Sequence, residues 1–259
     1  VWRRESDFAN TAVAVAPGRV GTTPANDQYA TPASGWGGNL ALRRSGLNVG
    51  GGRLEWGVGA DARFAEGETQ ERFRFMAGRF TRDRFAGGET AVIGGYGEGS
   101  WTGGPWLVAG GVRLDRWKTT EGHRLERDRA TGLPTLDETY PDRSGDVVSA
   151  RLAVRRDLGT GLAARAAAYS SFRPATLNEL HRPFRVGNDL TEANAALEPE
   201  TLRGVETGLS WHHGGTTVGA TVFWNRLDNA IVNVTLGQGP GIIAALPRAG
   251  FVPAGGVLR

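Results

Sequence analysis

The sequence predicts an all-β protein, an antiparallel up-and-down barrel wall that crosses a membrane on its strands. Three observations predict it. Glycine supplies 40 of 259 residues and apolar residues only 39%, with no run near the ~18 apolar residues of a transmembrane helix. Segments of alternating polarity recur along most of the chain. The connections between them alternate between short and long. A barrel in lipid is apolar outside and polar inside, so alternation rather than mean hydropathy is its signature.

Taken in order, the alternating segments fall at 1–16, 36–46, 53–65, 89–101, 106–119, 145–156, 162–171, 200–212 and 216–235. In the third, Leu54, Trp56, Val58, Ala60, Ala62 and Phe64 alternate with Glu55, Gly57, Gly59, Asp61 and Arg63. Period two puts the first set on one face of a strand, and a helix would scatter them. Trp106, Val108, Gly110, Val112 and Leu114 repeat the pattern, as do Val148, Ala150, Leu152 and Val154. So do Val205, Thr207, Leu209 and Trp211, then Val218, Ala220, Val222 and Trp224. A soluble β-module would leave these rows as an apolar patch larger than soluble proteins tolerate. Arg63, Arg113, Asp115, Arg151, Arg155 and Arg165 fall on the opposite, lumen-facing side. An arginine facing lipid at mid-depth costs about 2–4 kcal/mol, which decides which side is inside.

Short connections at 46–52, 102–105, 157–161 and 212–215 carry the glycines that tight hairpins need. Long polar ones at 17–35, 66–88, 120–144 and 172–199 are expected to be loops. Short periplasmic turns and long extracellular loops are the outer-membrane pattern. Trp56, Trp101, Trp106 and Trp211 stand beside short turns, and Trp224 stands about nine residues along its strand. With ~3.3 Å per residue and a tilt near 45°, Trp224 is ~21 Å above its turn, close to the ~25 Å apolar band. These five tryptophans are expected to form interfacial girdles.

The absence of cysteine excludes disulfides and thiolate metal sites. Twenty-nine arginines and one lysine (Lys118) are spread evenly against 27 acids, which is no nucleic-acid tail. No HExxH, GxSxG or P-loop occurs, and an outer-membrane phospholipase or protease would need a nucleophile–base pair that is not evident. The chain is expected to be no enzyme and to use no cofactor or metal. Gly57–Ala62 imitates a dinucleotide-binding pattern but lies inside an alternating strand with no following helix. His212 and His213 are neighbours in a strand, so they point to opposite faces and form no chelate. The basic, aromatic run 71–85 suits a folded extracellular loop better than nucleic acid.

The stretch from Tyr169 to Trp211 carries a more specific signal. Pro174 and Pro183 lack a donor N–H and end a ladder. Gly187-Asn188 is turn chemistry, and Pro199 keeps Glu198 extended before the next strand. The stretch therefore ends one strand, forms a structured loop and starts another.

Its residues Tyr169, Phe172, Arg173, Pro174, Leu177, Glu179, Leu180, Gly187, Asn188, Asn194, Leu197, Pro199, Glu200, Glu206 and Gly208 resemble a segment of TonB-dependent outer-membrane receptors. Phe223, Asn225, Asp228 and Ile231 resemble that family's following strand. The resemblance implies a 22-stranded barrel holding a globular plug, in a Gram-negative outer membrane. It implies active uptake of a scarce ligand such as a ferric siderophore, haem or cobalamin, powered by the TonB complex. Residues 1–259 are then expected to be part of the barrel domain, without plug, TonB box or signal peptide; nine strands also fall short of the even number of a closed bacterial barrel. A smaller passive porin- or adhesin-like barrel is the alternative. In the loop, Arg173, Arg182 and Arg185 are candidate contacts for an anionic ligand, because the guanidinium fork suits carboxylate and phosphate. His181 is a weaker candidate.

Overall fold

An alternating segment has one apolar face, and in lipid its backbone N–H and C=O groups are satisfied only by pairing with neighbouring segments. The computed structural model describes residues 1–15 and 17–259 and pairs the segments into a twelve-stranded sheet. The strands are β1 (Trp2–Ser6), β2 (Asn10–Val15), β3 (Thr22–Ala30), β4 (Ala33–Val49), β5 (Gly52–Met76), β6 (Arg79–Gly103), β7 (Trp106–Asp128), β8 (Pro134–Thr139), β9 (Arg143–Gly159) and β10 (Leu162–Arg173). Helix α1 (Leu177–His181) and strands β11 (Phe184–Val186) and β12 (Asp189–Thr191) follow, then β13 (Glu200–His213) and β14 (Thr216–Asp228). Short strands β15 (Gly237–Gln238), β16 (Gly241–Ile242), β17 (Phe251–Val252) and β18 (Val257–Leu258) end the chain.

The main path runs β1-β4-β5-β6-β7-β9-β10-β13-β14, antiparallel throughout. These are nine strands in chain order, the number of alternating segments. One face is apolar and open: Leu114, Val148, Leu152, Val205, Leu209 and Val222 are all exposed. The opposite face is polar, and glycines sit between its large side chains. Gly59 lies under the ring of Tyr96, where an added Cβ would come within 2.6 Å of the ring. Gly94 lies under Arg113 and Asp115, and Gly204 under Tyr169. The inner side chains therefore lie flat along the wall.

Four short turns, at 50–51, 104–105, 160–161 and 214–215, share one end of the sheet. Gly50, Gly51, Gly214 and Gly215 take positive φ there, from 54° to 83°. The turns are staggered. Trp106 stands opposite Arg156, three residues short of the end of β9 at Gly159. Leu162 stands opposite Trp211, two short of the end of β13 at His213. Stagger of this kind is the shear that tilts barrel strands against the axis.

The other end differs from the expectation. Segments 17–35, 66–88 and 120–144 are not plain loops: the first holds β3, which pairs with β2 and β5. Residues 66–76 and 79–88 continue β5 and β6 as one hairpin, paired as far as Met76↔Arg79. Residues 120–128 continue β7, and 123–127 pair with β8. Outside lipid neither face of a strand has to be apolar, so alternation fades while pairing persists. The expected strand 1–16 is two: β1 pairs with β4, whereas β2 pairs with β3. The expected strand 216–235 ends at Asp228. The last residues are not a plain loop, since β18 pairs with β12 and β15. Leu190, Val252 and Leu258 form a small core there, flanked by Ile243, Leu246 and Ala249.

Candidate functional site at the long-hairpin end

The segment after β10 folds back against the polar face of the long hairpins. Its start is fixed by local chemistry. Thr176 accepts a hydrogen bond from the backbone N–H of Glu179, and the Glu179 carboxylate accepts from the N–H of Thr176 at 2.7 Å. This reciprocal cap nucleates the five-residue helix α1. Arg173 clamps the Glu179 carboxylate with both terminal nitrogens (3.0 and 3.1 Å) and donates its Nε to Glu200 at 2.6 Å. Glu200 also accepts from the N–H of Ile231 at 2.7 Å. The end of β10, the helix and the start of β13 are thus tied at one point. Burial alone would raise the Glu179 pKa, but Arg173 and the Thr176 donors hold it below the usual range.

A ladder of polar residues crosses the wall beneath the helix. Gln28, Glu71, Arg84 and Glu126 stand in register on β3, β5, β6 and β7. Glu71 is 0% exposed. Its carboxylate accepts from Asn26 Nδ2 at 3.0 Å, Arg84 Nη1 at 3.3 Å and Arg182 Nε at 2.8 Å. Arg84 also donates to Glu126 at 2.9 Å and to the Pro183 carbonyl at 3.1 Å, with its guanidinium over the Phe73 ring. Arg124 joins Glu126 at 2.7 Å to Glu192 at 2.8 Å. Burial alone would raise the Glu126 pKa, but Arg84 and Arg124 hold it low. Arg182 and Glu192 thus bring the loop's charge into a network in which every carboxylate meets a guanidinium.

A bulge places part of this network. Between β6 and β7 the register shifts where Glu121 and Gly122 face the single residue Gly88, and Glu121 takes φ 53°. The extra residue reverses the alternation of β7. Odd residues Arg113 and Asp115 face inward before it, and even residues Arg124 and Glu126 after it. Deeper on the same face, Arg113 donates to Asp61 (3.0 Å) and Asp115 (2.9 Å).

The sequence candidates divide. Arg173 and Arg182 are taken up by Glu179, Glu200, Glu71 and Gln28 (3.0 Å). Arg185 has no carboxylate within salt-bridge range among the described residues; its Nη2 reaches the Phe251 carbonyl at 3.4 Å, and burial followed by nearby Arg84 lowers its pKa. His181 is 2% exposed, with both ring nitrogens unbonded. Its ring stacks on Tyr140 at 4.9 Å and lies over Gly122. Burial first, then the charge of His123, pushes its pKa down to about 4. Leu177 and Leu197 are half-buried, Pro199 is buried, and Pro174 lies directly after β10. Phe172 pairs with Thr201 at the strand end, and Gly187-Asn188 forms the β11–β12 turn with Gly187 at φ 59°.

Trp56 and Trp101 are half-buried, and Trp106, Trp211 and Trp224 are exposed. Trp56 and Trp224 belong to one cross-strand row, through Gly99, Gly110, Leu152, Ala168 and Val205. In an untilted sheet they would share a height; in a tilted one the row climbs from one edge toward the other. Trp36, stacked on Phe64 at 4.2 Å, is a further exposed aromatic that the turn-based reading missed. Its signal was its place in register opposite Phe64. His212 bonds Thr217 while His213 stacks on Trp211, so the two do part to opposite faces.

An apolar outer face, a polar inner face and chain-ordered antiparallel strands define a membrane barrel wall. The family described as "TonB dependent receptor-like, beta-barrel" matches residues 2–254, and the chain belongs to it. Among solved structures, it is similar to the ferric yersiniabactin uptake receptor FyuA of Yersinia pestis, with TM-score 0.57 and 13% identity over 87% of this chain and 32% of that one. It is also similar to the ferric-catecholate import receptor Fiu of Escherichia coli K12 in its closed form, with TM-score 0.59 and 15% identity over 87% and 37%. The siderophore receptor PiuA of Acinetobacter baumannii gives TM-score 0.54 and 13% identity over 85% and 36%. The chain spans about a third of the length of these receptors. No curated protein matches the sequence.

Proposed function

We propose that this chain forms part of the wall of an outer-membrane receptor that actively takes up a scarce ligand, a ferric siderophore, haem, cobalamin or a molecule of that kind. The observation that carries this reading is the two-faced sheet of a TonB-dependent receptor barrel, with one loop locked onto its polar side. Residues 1–259 serve as barrel domain, around a plug supplied by the same receptor and pulled by the TonB complex. The staggered short turns face the periplasm, and the long hairpins with the 174–199 loop face outward. Trp56, Trp101, Trp106, Trp211 and Trp224 sit at the two lipid–water interfaces. Of the loop arginines, Arg185 is the one left with charge to offer an anionic ligand.

The test is growth of a deletion strain complemented with the complete receptor, supplied with single iron or cobalamin sources, with and without a working TonB. TonB-dependent rescue by one source supports the reading. Passage of small solutes that is indifferent to TonB sinks it, and is what a passive porin-like barrel would give.

A further inference from the structure

The 174–199 loop and the segment after β14 are held in different ways. Five arginines staple the loop. Arg84, Arg124, Arg173 and Arg182 do so through the contacts above. Arg143 adds bonds from its Nη1 to the carbonyls of Ala195 at 3.0 Å and Leu197 at 2.7 Å. Residues 237–258 have one charged tie to the wall among the described residues, Arg248–Glu138 at 3.3 Å. They lean on the loop instead, and their contacts climb the β11–β12 hairpin in order. The Phe251 carbonyl accepts from Arg185 at 3.4 Å, and the Ala254 carbonyl accepts from Asn188 Nδ2 at 3.1 Å. The Val257 N–H donates to Asp189 at 3.1 Å, and Leu258 stands in register with Leu190. Backbone bonds and the small Leu190–Val252–Leu258 core seat the segment there.

This difference sets an order of opening. Local opening begins where few buried apolar contacts hold a segment, so residues 237–258 lift before the loop does. The contact at Arg185 resists least. At 3.4 Å it is longer than the ~3.0 Å of an ordinary N–H···O bond, and its acceptor is neutral. A carboxylate or phosphate oxygen binds a guanidinium at shorter range and about twice as strongly.

We infer that residues 237–258 form a lid over Arg185, with the Phe251 carbonyl holding the place that an anionic oxygen of the ligand takes when the lid lifts, while the 174–199 loop stays fixed. This rests on the uptake reading above, in which Arg185 is the anion contact.

The complete receptor, purified in detergent, is treated with phenylglyoxal, which modifies accessible guanidiniums, and each arginine is followed by mass spectrometry. V252N/L258N removes the core that seats the lid. It is expected to speed labelling of Arg185 about tenfold, while Arg182 stays within about twofold of the parent. In that variant millimolar inorganic phosphate should slow labelling of Arg185 about threefold. L190C/L258C joins lid to loop when oxidised, since residues 1–259 contain no cysteine of their own. Oxidised, it should label at Arg185 about tenfold more slowly than when reduced. Heat-modifiable gel mobility shows that each variant is folded. Equal labelling of Arg185 in the parent and V252N/L258N overturns the inference. So does an equal rise at Arg182, which would mean that the whole loop has come loose, or labelling that phosphate does not slow. The growth assay separates the lid from the uptake reading. TonB-dependent growth that L190C/L258C supports as well as L258C alone removes the lid. Absence of TonB-dependent growth on every source removes uptake, and the labelling still decides the lid.

Discussion

Replacing Glu71 with glutamine tests how the loop is held. The substitution keeps the shape and the contact from Asn26 but removes a carboxylate with no exposed surface. Of its two cationic partners, Arg84 still has Glu126 at 2.9 Å. Arg182 keeps only Gln28 at 3.0 Å, so its charge is left shielded without a counterion. Removing one partner of a buried pair costs about 3–5 kcal/mol; the lower figure fits because Arg182 can swing out to water with the loop. Since 1.4 kcal/mol is a factor of ten, opening of the loop should become about a hundredfold more frequent. Backbone amide exchange reads this directly, because local opening is reported segment by segment. Amides of 177–192 should lose protection while those of β9 and β10 do not. Arg182→Gln should cost less, because Glu71 retains Arg84 and Asn26, and the double variant should fall short of the sum. Loop exchange within threefold of the parent, or equal loss across the whole sheet, would refute the account.

Acid should loosen the same loop through His181. Its folded pKa near 4 lies below the ordinary ~6.5, so stability is fully present above pH ~6.5 and is lost as pH falls toward 4, by up to about 3 kcal/mol. His181→Phe should flatten that pH dependence of loop exchange; an unchanged profile would assign it elsewhere. Val222→Arg, on the apolar face, should destabilise insertion into lipid vesicles by about 2–4 kcal/mol while Thr221→Arg on the polar face is tolerated. Equal effects on folded yield would put lipid on the wrong side. Gly94→Val should push Arg113 and Asp115 off the wall and cost about 1–3 kcal/mol in denaturant unfolding, and a neutral result would show that the glycine gives no seat.

Period two made the membrane part of the fold legible. Trp106 to Leu114 and Val148 to Val154 stand on the face their spacing assigns. Above the band the signal ends for a physical reason: residues 66–76 and 79–88 face water on one side and a polar, charge-paired loop on the other, so no apolar row in their order distinguishes a paired strand from a loop. The network was hidden by distance and by the bulge. Glu71 meets Arg182 across 111 positions, and unbroken alternation along β7 would point Arg124 and Glu126 away from Arg84; only the Glu121-Gly122 bulge turns them toward it. One signal was local and overlooked: Thr176-x-x-Glu179 is a helix start, and it places α1.

The order of the main sheet bears on how the wall comes into being. Each of its strands after β4 is laid against the one that precedes it on the path, so most pairings close hairpins rather than long loops. Local closure is fast, since little chain entropy must be surrendered before contacts repay it. The sheet can therefore grow like a zip, one strand at a time, and at every stage it presents a growing front of unpaired N–H and C=O groups. Among the described residues β14 is the last strand on the path, and the residues from Thr216 to Leu227 are exposed. The same directionality that makes assembly quick makes each intermediate adhesive, so the speed at which a next strand arrives, rather than the stability of those already in place, governs whether the wall is completed or clumps.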